Sequence, residues 1–165
     1  MVAPCRVVEE RLPGEAPEEF VRRLAAAKAR EVAGTRRDGV VLGADTEVVL
    51  DGEVLGKPRD DEDARSMLAR LSGRAHDVVT GYEIYDVAAG RGEGGVVRTR
   101  VEFAPLSRGE IDAYVASGEP RGKAGAYAIQ GRAAGMIRRI EGSYTNVVGL
   151  PLREVLEALR RMGTL

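Results

Sequence analysis

The sequence predicts an α/β protein with a mixed, largely central twisted sheet flanked by helices. Segments with apolar residues at helical spacing alternate along the chain with segments of β-forming residues, and a two-residue turn signal joins two of the β segments. With 165 residues and no internal repeat, one domain over 1–165 is expected. The fold class alone says little about function.

The first helix is predicted from Pro17 onward. Proline fits the first helical position, Glu18 and Glu19 follow it, and Gly34 comes after the helix end. The residues that recur at helical spacing are Phe20, Val21, Leu24, Ala25, Lys28, Ala29 and Val32. This pattern predicts an amphipathic helix.

A strand and a hairpin are predicted next. The apolar run 40–44 is typical of a strand buried on both faces, and 46–50 continues in β-forming residues. Asp51-Gly52 is a strong signal for a two-residue hairpin turn.

Side chains that cap helix starts predict the second and third helices. Asp60 can cap a helix with Asp63 as a weak capping-box partner, and Ser107 with Glu110 forms a capping box for the next. The apolar faces of these two helices are Ala64, Met67, Leu68 and Leu71, and Ile111, Tyr114 and Val115.

The paired strands that remain are predicted from alternating apolar and polar residues, and the last helix is predicted from a proline. Residues 75–87 and 96–104 are typical of paired strands, and the glycine-rich stretch 88–95 between them is expected to be mobile. A strand is expected around 136–140. Pro151 then begins a last helix whose inward residues are Leu152, Val155, Leu156 and Leu159.

Composition narrows the classes of partner. Lys plus Arg number 25 and Asp plus Glu 26, so the net charge of -1 favours neither duplex nucleic acid nor a membrane surface. The single cysteine, Cys5, cannot form an internal disulfide framework, which favours a cytoplasmic protein. With His76 as the only histidine and Cys5 as the only cysteine, a set of zinc-binding side chains is not expected. A metal would be magnesium or manganese, held by carboxylates and phosphate.

Asp45 is the first candidate for catalysis. It ends a buried apolar run within Gly43-Ala44-Asp45-Thr46, at the edge where α/β sheets commonly bind ligands. A carboxylate there could hold a divalent cation or take a proton from an attacking water, as polyphosphate chemistry requires. The alternative is that Asp45 merely caps a turn.

Lys57 and Gln130 are candidates for substrate binding. Lys57 follows a glycine-rich turn, although the spacing from Gly52 to Gly56 and the proline at 58 do not match a Walker loop, and the lysine could simply be solvated. Gln130 ends a run of small residues, and its amide can donate and accept hydrogen bonds at a base edge. The alternative for that run is a tight packing corner.

Taken together, these segments resemble the Maf family in order and spacing, from about Val7 to the carboxyl terminus. The segments that carry the resemblance are Gly43-Ala44-Asp45-Thr46, Gly56-Lys57-Pro58, Ser72-Gly73-Arg74 with His76, Thr80-Gly81, 123–131, and Gly142-Ser143-Tyr144 with 146–151. Their coincidence is more specific than any one motif.

The resemblance implies the fold of Maf and inosine triphosphatase proteins and a metal-dependent nucleoside triphosphate pyrophosphatase. Such an enzyme cleaves between the α and β phosphates, with Asp45 as the acid/base residue and Thr46 and Gln130 at positions used for substrate choice. With glutamine at position 130, the sequence resembles the subgroup acting on dTTP and UTP. The subgroup acting on 7-methyl-GTP tends to place glutamate there. The resemblance is also compatible with a homodimer.

One departure from the family concerns the amino terminus. The family opens with a strand and a Ser-x-Ser-Pro-Arg-Arg loop whose arginine contacts the nucleotide, and the chain lacks this segment. We therefore expect a shortened form that lacks roughly 25 residues. Glu9 or Glu10 matches an acidic residue near the metal, and Glu10 with Asp45 is the predicted ligand pair. A binding or cell-division-associated interaction protein with little turnover is the alternative function.

Overall fold

The computed structural model describes residues 2–165. Five α-helices lie in this part of the chain: α1 (Pro17–Ala33), α2 (Asp61–Leu71), α3 (Arg108–Ala116), α4 (Tyr144–Val148) and α5 (Leu152–Met162). The strands are β1 (Val40–Leu50), β2 (Glu53–Val54), β3 (Ala75–Asp86), β4 (Arg91–Phe103) and β5 (Ile137–Glu141). Two short 3-10 helices cover Ala124–Ala126 and Arg132–Met136. None of the helices described is both long and apolar enough to cross a lipid bilayer.

The strands form one sheet in the order β2-β1-β3-β4-β5. β1 pairs antiparallel with β2, and β4 pairs antiparallel with β5. The predicted hairpin turn is confirmed, because Asp51 and Gly52 have φ values of 53° and 82°, as a two-residue turn of this kind requires. The sheet and its flanking helices confirm the predicted α/β fold class.

The chain divides into two compact units. The first contains the residues up to Thr46, Thr80–Val97 and Gly149–Leu165, and the second contains Glu47–Val79 and Arg98–Val148. Each has an apolar cluster of its own. In the first unit the cluster is Tyr82, Ile84, Val155, Ala158 and Met162. In the second, its most completely buried members are Leu68, Leu71, Val101, Ala126 and Ala133. The prediction of a single domain stays a prediction.

The predicted helix caps of α2 and α3 are confirmed. The Asp60 side chain accepts a hydrogen bond from the Asp63 backbone N–H at 2.8 Å. The Ser107 hydroxyl accepts from the Glu110 N–H at 3.3 Å, and the Glu110 carboxylate accepts from the Ser107 N–H at 2.7 Å. Each cap pairs backbone donors that the helix itself leaves unsatisfied.

The prediction of a mobile linker over 88–95 was wrong, because β4 begins at Arg91 and only 87–90 form the turn. The glycines serve the strand instead. A Cβ atom on Gly94 would collide with the Tyr82 carbonyl and the Glu83 carboxylate on β3. The glycine therefore leaves room for the neighbouring strand, although the stretch 88–95 resembles a linker in sequence.

Two predicted apolar faces were partly wrong. Val40 and Leu42 are each 43% exposed, so the first half of β1 is not buried on both faces. In α5, Leu152 and Leu156 are exposed. The buried face of that helix is Val155, Ala158 and Met162.

Candidate active site

Asp45 lies in the middle of β1, so its predicted position at the end of a strand was wrong, and it is buried, with 9% of its surface exposed. Its Oδ1 atom accepts a hydrogen bond from the Nζ of Lys28, at 2.6 Å. Lys28 belongs to α1, so the pair joins this helix to the strand. A buried carboxylate in charge contact with an ammonium group is a common feature of catalytic sites.

Two glycines allow α1 to approach the sheet closely enough for this contact. A Cβ atom on Gly43 would collide with the Ala25 carbonyl and lie 2.8 Å from the Ala29 nitrogen. A Cβ atom on Gly81 would collide with the Val21 carbonyl. Because glycine has no Cβ, the α1 backbone rests directly on β1 and β3, and Lys28 is brought beside Asp45.

Lys28 contacts a second carboxylate as well. Its Nζ lies 2.6 Å from Oε1 of Glu9, whose side chain is 36% exposed. Burial alone would lower the pKa of Lys28, but the hydrogen bonds and charges of Asp45 and Glu9 outweigh burial and raise that pKa above its ordinary value. Lys28 is therefore protonated at neutral pH, and the three side chains together carry a formal charge of one negative unit.

Glu10 lies beside this cluster in sequence but makes a different contact. Its backbone carbonyl accepts a hydrogen bond from Nη2 of Arg23 at 2.9 Å, and its side chain is exposed. The acidic residue whose carboxylate reaches Lys28 is Glu9. A metal-binding role for Glu10 stays a prediction.

Thr46 follows Asp45 and is fixed by polar contacts within the same unit. Its hydroxyl lies 2.9 Å from the hydroxyl of Thr80, which is fully buried, and 3.5 Å from the Gly149 carbonyl oxygen. The structure thus brings Gly43-Ala44-Asp45-Thr46 and Thr80-Gly81 together through side-chain and backbone contacts. A role for Thr46 in substrate choice stays a prediction.

Lys57 and Gln130 both lie in the second unit. The segments that carry them are joined by a backbone hydrogen bond, in which the Gly125 N–H donates to the Gly56 carbonyl at 2.8 Å. Gly125 has a φ of 64°, and a Cβ atom there would lie 2.8 Å from a methyl carbon of Val48, so the close approach requires glycine. Lys57 and Gln130 are both exposed.

The donor chemistry of the Asp45 cluster fits a hard divalent cation. Among residues 2–165, no group of three or more His, Cys, Asp or Glu side chains is arranged to hold a metal ion. Mg²⁺ usually uses one or two protein carboxylates and completes its shell with water and substrate phosphate. Asp45 and Glu9, which both bind Lys28, supply two such carboxylates.

The helical spacing of α1 does not by itself distinguish Lys28 from the apolar residues around it. Its neighbours Leu24, Ala25 and Ala29 are fully buried. A lysine on the apolar face of a helix is a signal in itself, because a buried ammonium group needs a charged partner.

Comparison with known proteins identifies the family of the chain. A family model described as Maf-like protein matches residues 1–162. The chain belongs to the Maf family. The match covers every segment that carried the Maf resemblance in the sequence.

Curated relatives cover nearly all of the chain. It is 56% identical to a dTTP/UTP pyrophosphatase of Geobacter sp. (strain M21), over 99% of this chain and 85% of the relative. It is 57% identical to a protein of the same name from Geobacter metallireducens, over 96% of this chain and 83% of the relative. A third, from Anaeromyxobacter dehalogenans, is 53% identical over 98% of this chain and 82% of the relative.

Proposed function

We propose that the chain is a nucleoside triphosphate pyrophosphatase that hydrolyses dTTP and UTP to the monophosphate and pyrophosphate. Relatives that are 53–57% identical over almost the whole chain carry the name dTTP/UTP pyrophosphatase. The reaction adds water across the bond between the α and β phosphates, so one product keeps the nucleoside and the other is free pyrophosphate.

The observation that carries the proposal is the contact of Lys28 with Asp45 and Glu9, at 2.6 Å each. The Asp45 carboxylate can accept the proton of the attacking water, and the buried position keeps that base away from bulk solvent. Lys28 orients the carboxylate by charge-assisted hydrogen bonding. Asp45 in this role is the catalytic residue.

A divalent cation, magnesium or manganese, is the proposed cofactor. The Asp45 cluster carries a formal charge of one negative unit, and a triphosphate is strongly anionic, so the two repel each other without a cation. Asp45 and Glu9 would hold the metal, with Glu10 as the alternative acidic ligand. The cation would neutralise phosphate charge and polarise the phosphorus centre.

Substrate recognition is assigned to three side chains. Thr46 contributes a hydroxyl next to the catalytic carboxylate, and Lys57 contributes an ammonium group for phosphate oxygens. Gln130 is assigned to the base, because one amide can pair with both the N3–H donor and a carbonyl acceptor of uracil or thymine. Substitution of each residue would test its assignment.

The test is to measure pyrophosphate release from dTTP, UTP, CTP and GTP by the purified chain, with magnesium, with manganese and with a chelator. We expect release from dTTP and UTP that depends on the metal. Binding of UTP without release of pyrophosphate would support the alternative, a nucleotide-binding or interaction protein with little turnover. That alternative is not favoured, because the relatives carry an enzyme name.

The cellular setting we propose is the cytoplasm, where the nucleotide substrates are made and consumed. The single cysteine, Cys5, is a free thiol, which suits a reducing compartment. A homodimer is part of the same proposal, and sedimentation of the purified chain would test it.

A further inference from the structure

The segment that carries Gln130 has no regular secondary structure of its own. It runs from the end of one 3-10 helix at Ala126 to the start of the next at Arg132. Only one local backbone hydrogen bond lies inside it among those described, from the Gly131 N–H to the Ala128 carbonyl at 3.0 Å. Hydrogen bonds to side chains of other elements restrain this segment instead.

A buried hydrogen bond fixes the start of the segment. The Tyr127 hydroxyl lies 2.8 Å from Nε2 of His76, and the two residues are 6% and 3% exposed. Their rings meet edge to face, 5.5 Å apart, and both pack against Phe103, at 4.9 Å from Tyr127 and 5.2 Å from His76. Burial lowers the pKa of His76 to about 4, so the imidazole is neutral at physiological pH.

Two further contacts hold the middle and the end. The Tyr114 hydroxyl accepts from the Ala128 N–H at 3.2 Å. The Glu119 carboxylate accepts from the Arg132 N–H at 2.8 Å, and a Cβ atom on Gly131 would collide with it. The backbone is thereby restrained at Ala128 and at Arg132, two residues before and two residues after Gln130, while the Gln130 side chain is exposed.

Restraint matters for base selection because an amide can rotate. Uracil offers a donor at N3 and acceptors beside it, whereas cytosine offers an acceptor at N3 and an amino donor. A glutamine that turns freely can satisfy either pattern, since its amide both donates and accepts. A glutamine held in one amide orientation distinguishes the two bases, and a fixed backbone limits the positions and orientations that its amide can reach.

We propose that Tyr127, hydrogen-bonded to His76, and Glu119 are positioning residues that hold Gln130 in the orientation selecting uracil and thymine over cytosine. This inference rests on the proposed function and adds the residues through which selectivity is set. His76 and Tyr127 act from inside the second unit and touch no reacting atom.

The experiment compares kcat and KM for UTP and CTP in the wild type and in Tyr127→Phe, which removes one oxygen atom and keeps the ring. We expect the ratio of kcat/KM for UTP to that for CTP to fall about threefold to tenfold, as the loss of one hydrogen bond permits. The change should appear in KM, with kcat for UTP within about twofold of wild type. Glu119→Ala should lower the ratio in the same direction.

Tyr82→Phe is the matched control, because it removes the same atom from an equally buried tyrosine of the first unit. It should leave the UTP-to-CTP ratio unchanged. Gln130→Ala shows how far the ratio falls when the side chain proposed to contact the base is removed. Suppose that Gln130→Ala lowers the UTP-to-CTP ratio but Tyr127→Phe leaves it unchanged, whether or not activity on both nucleotides falls equally. That result would overturn the inference.

Failure of the proposed function gives a different result. If Gln130→Ala leaves the ratio unchanged, base reading by Gln130 is wrong and the positioning inference falls with it. If the wild type releases no pyrophosphate, the same variants are compared by their affinity for non-hydrolysable analogues of UTP and CTP. A selectivity of binding that Tyr127→Phe lowers would support the inference without the enzymatic activity.

Discussion

Lys28 is a cation shared by two carboxylates, and its charge decides what the Asp45 cluster can bind. With Lys28 protonated, the cluster keeps one net negative charge, which suits a divalent cation better than a bare triphosphate. Asp45 is the less exposed of the two carboxylates, so it is the one whose surroundings the protein controls most closely.

Asp45→Asn tests the catalytic assignment. The change preserves the shape of the side chain but removes the negative charge and the proton acceptor. We expect kcat for UTP to fall at least about a hundredfold, the usual contribution of a general base. Pyrophosphate release at saturating UTP measures it, with the circular dichroism spectrum as the control for folding. Activity close to that of the wild type would show that another group takes the proton.

Lys28→Met tests the coupling between Lys28 and Asp45. Methionine keeps most of the apolar stem, but two carboxylates then face each other without a cation, so stability should fall. In a double-mutant cycle with Asp45→Asn, the coupling free energy of the pair should be roughly 1–3 kcal/mol. Urea unfolding of the four proteins measures it. A coupling of zero would mean that the two charges do not stabilise each other.

His76 should give the stability of the chain a characteristic pH dependence. Its pKa in the folded protein is about 4, below the ordinary value of 6.5. Between these values the unfolded chain binds a proton that the folded chain does not, so the unfolding free energy falls as pH drops from 6.5 to 4. The slope is about 1.4 kcal/mol per pH unit, and the contribution is flat above and below that window.

His76→Gln removes that slope. The variant should be less stable than the wild type at pH 7.5, and the difference should shrink by roughly 2 kcal/mol at pH 5. Urea unfolding at the two pH values measures the change. A difference that stays constant between them would mean that His76 keeps its ordinary pKa in the folded protein.

At the scale of elements, the position of α1 depends on two glycines of the sheet. Gly43 and Gly81 lie on β1 and β3, and each faces a peptide group of α1. The sequence predicted α1 and its apolar face correctly, since amphipathic spacing is a local signal. It did not predict the close packing, because a glycine in an apolar run is equally compatible with a bulge, a bend or a close backbone approach.

Gly81→Ala should therefore separate α1 from β3. The new methyl group would collide with the Val21 carbonyl, and backbone cannot move aside as cheaply as a flexible side chain. We expect a loss of stability of about 1–3 kcal/mol together with a lower kcat, because Lys28 would move relative to Asp45. Thermal unfolding and pyrophosphate release measure the two effects.

Gly109→Ala is the matched control for that substitution. No atom lies within 4 Å of the position where its Cβ would be, and the residue belongs to α3, where alanine is favoured. This variant should be as stable as the wild type or more stable, by up to about 1 kcal/mol. An equal loss in both variants would mean that glycine replacement in general, and not the approach of α1, is responsible.

At the scale of the whole molecule, the features that the sequence predicted correctly are those set by residues close together in the chain. The hairpin at Asp51-Gly52 and the caps at Asp60 and Ser107 were predicted because residues a few positions apart decide them. The start of β4 was missed because its glycines are explained only by a neighbouring strand. Likewise, the sequence indicated Asp45, but its contact with Lys28 depends on how a helix packs on the sheet.

The proposed metal binding can be measured through the stability of the whole folded chain, and this measurement separates Glu9 from Glu10. A ligand that binds only the folded state stabilises it by roughly 1.4 kcal/mol when its free concentration is ten times its Kd. For a chain of this size we expect manganese to raise Tm by roughly 3–5 °C. Asp45→Asn should abolish the shift.

The neighbouring substitutions Glu9→Gln and Glu10→Gln form a matched pair, since each removes one negative charge from the same segment. Glu9 contacts Lys28 beside Asp45, whereas Glu10 reaches Arg23 through its backbone. We therefore expect Glu9→Gln to reduce the manganese-dependent rise in Tm and Glu10→Gln to leave it nearly intact. Thermal unfolding over a manganese titration measures both. The reverse order would assign the metal to Glu10 and would require the amino-terminal segment to change its contacts when the metal binds.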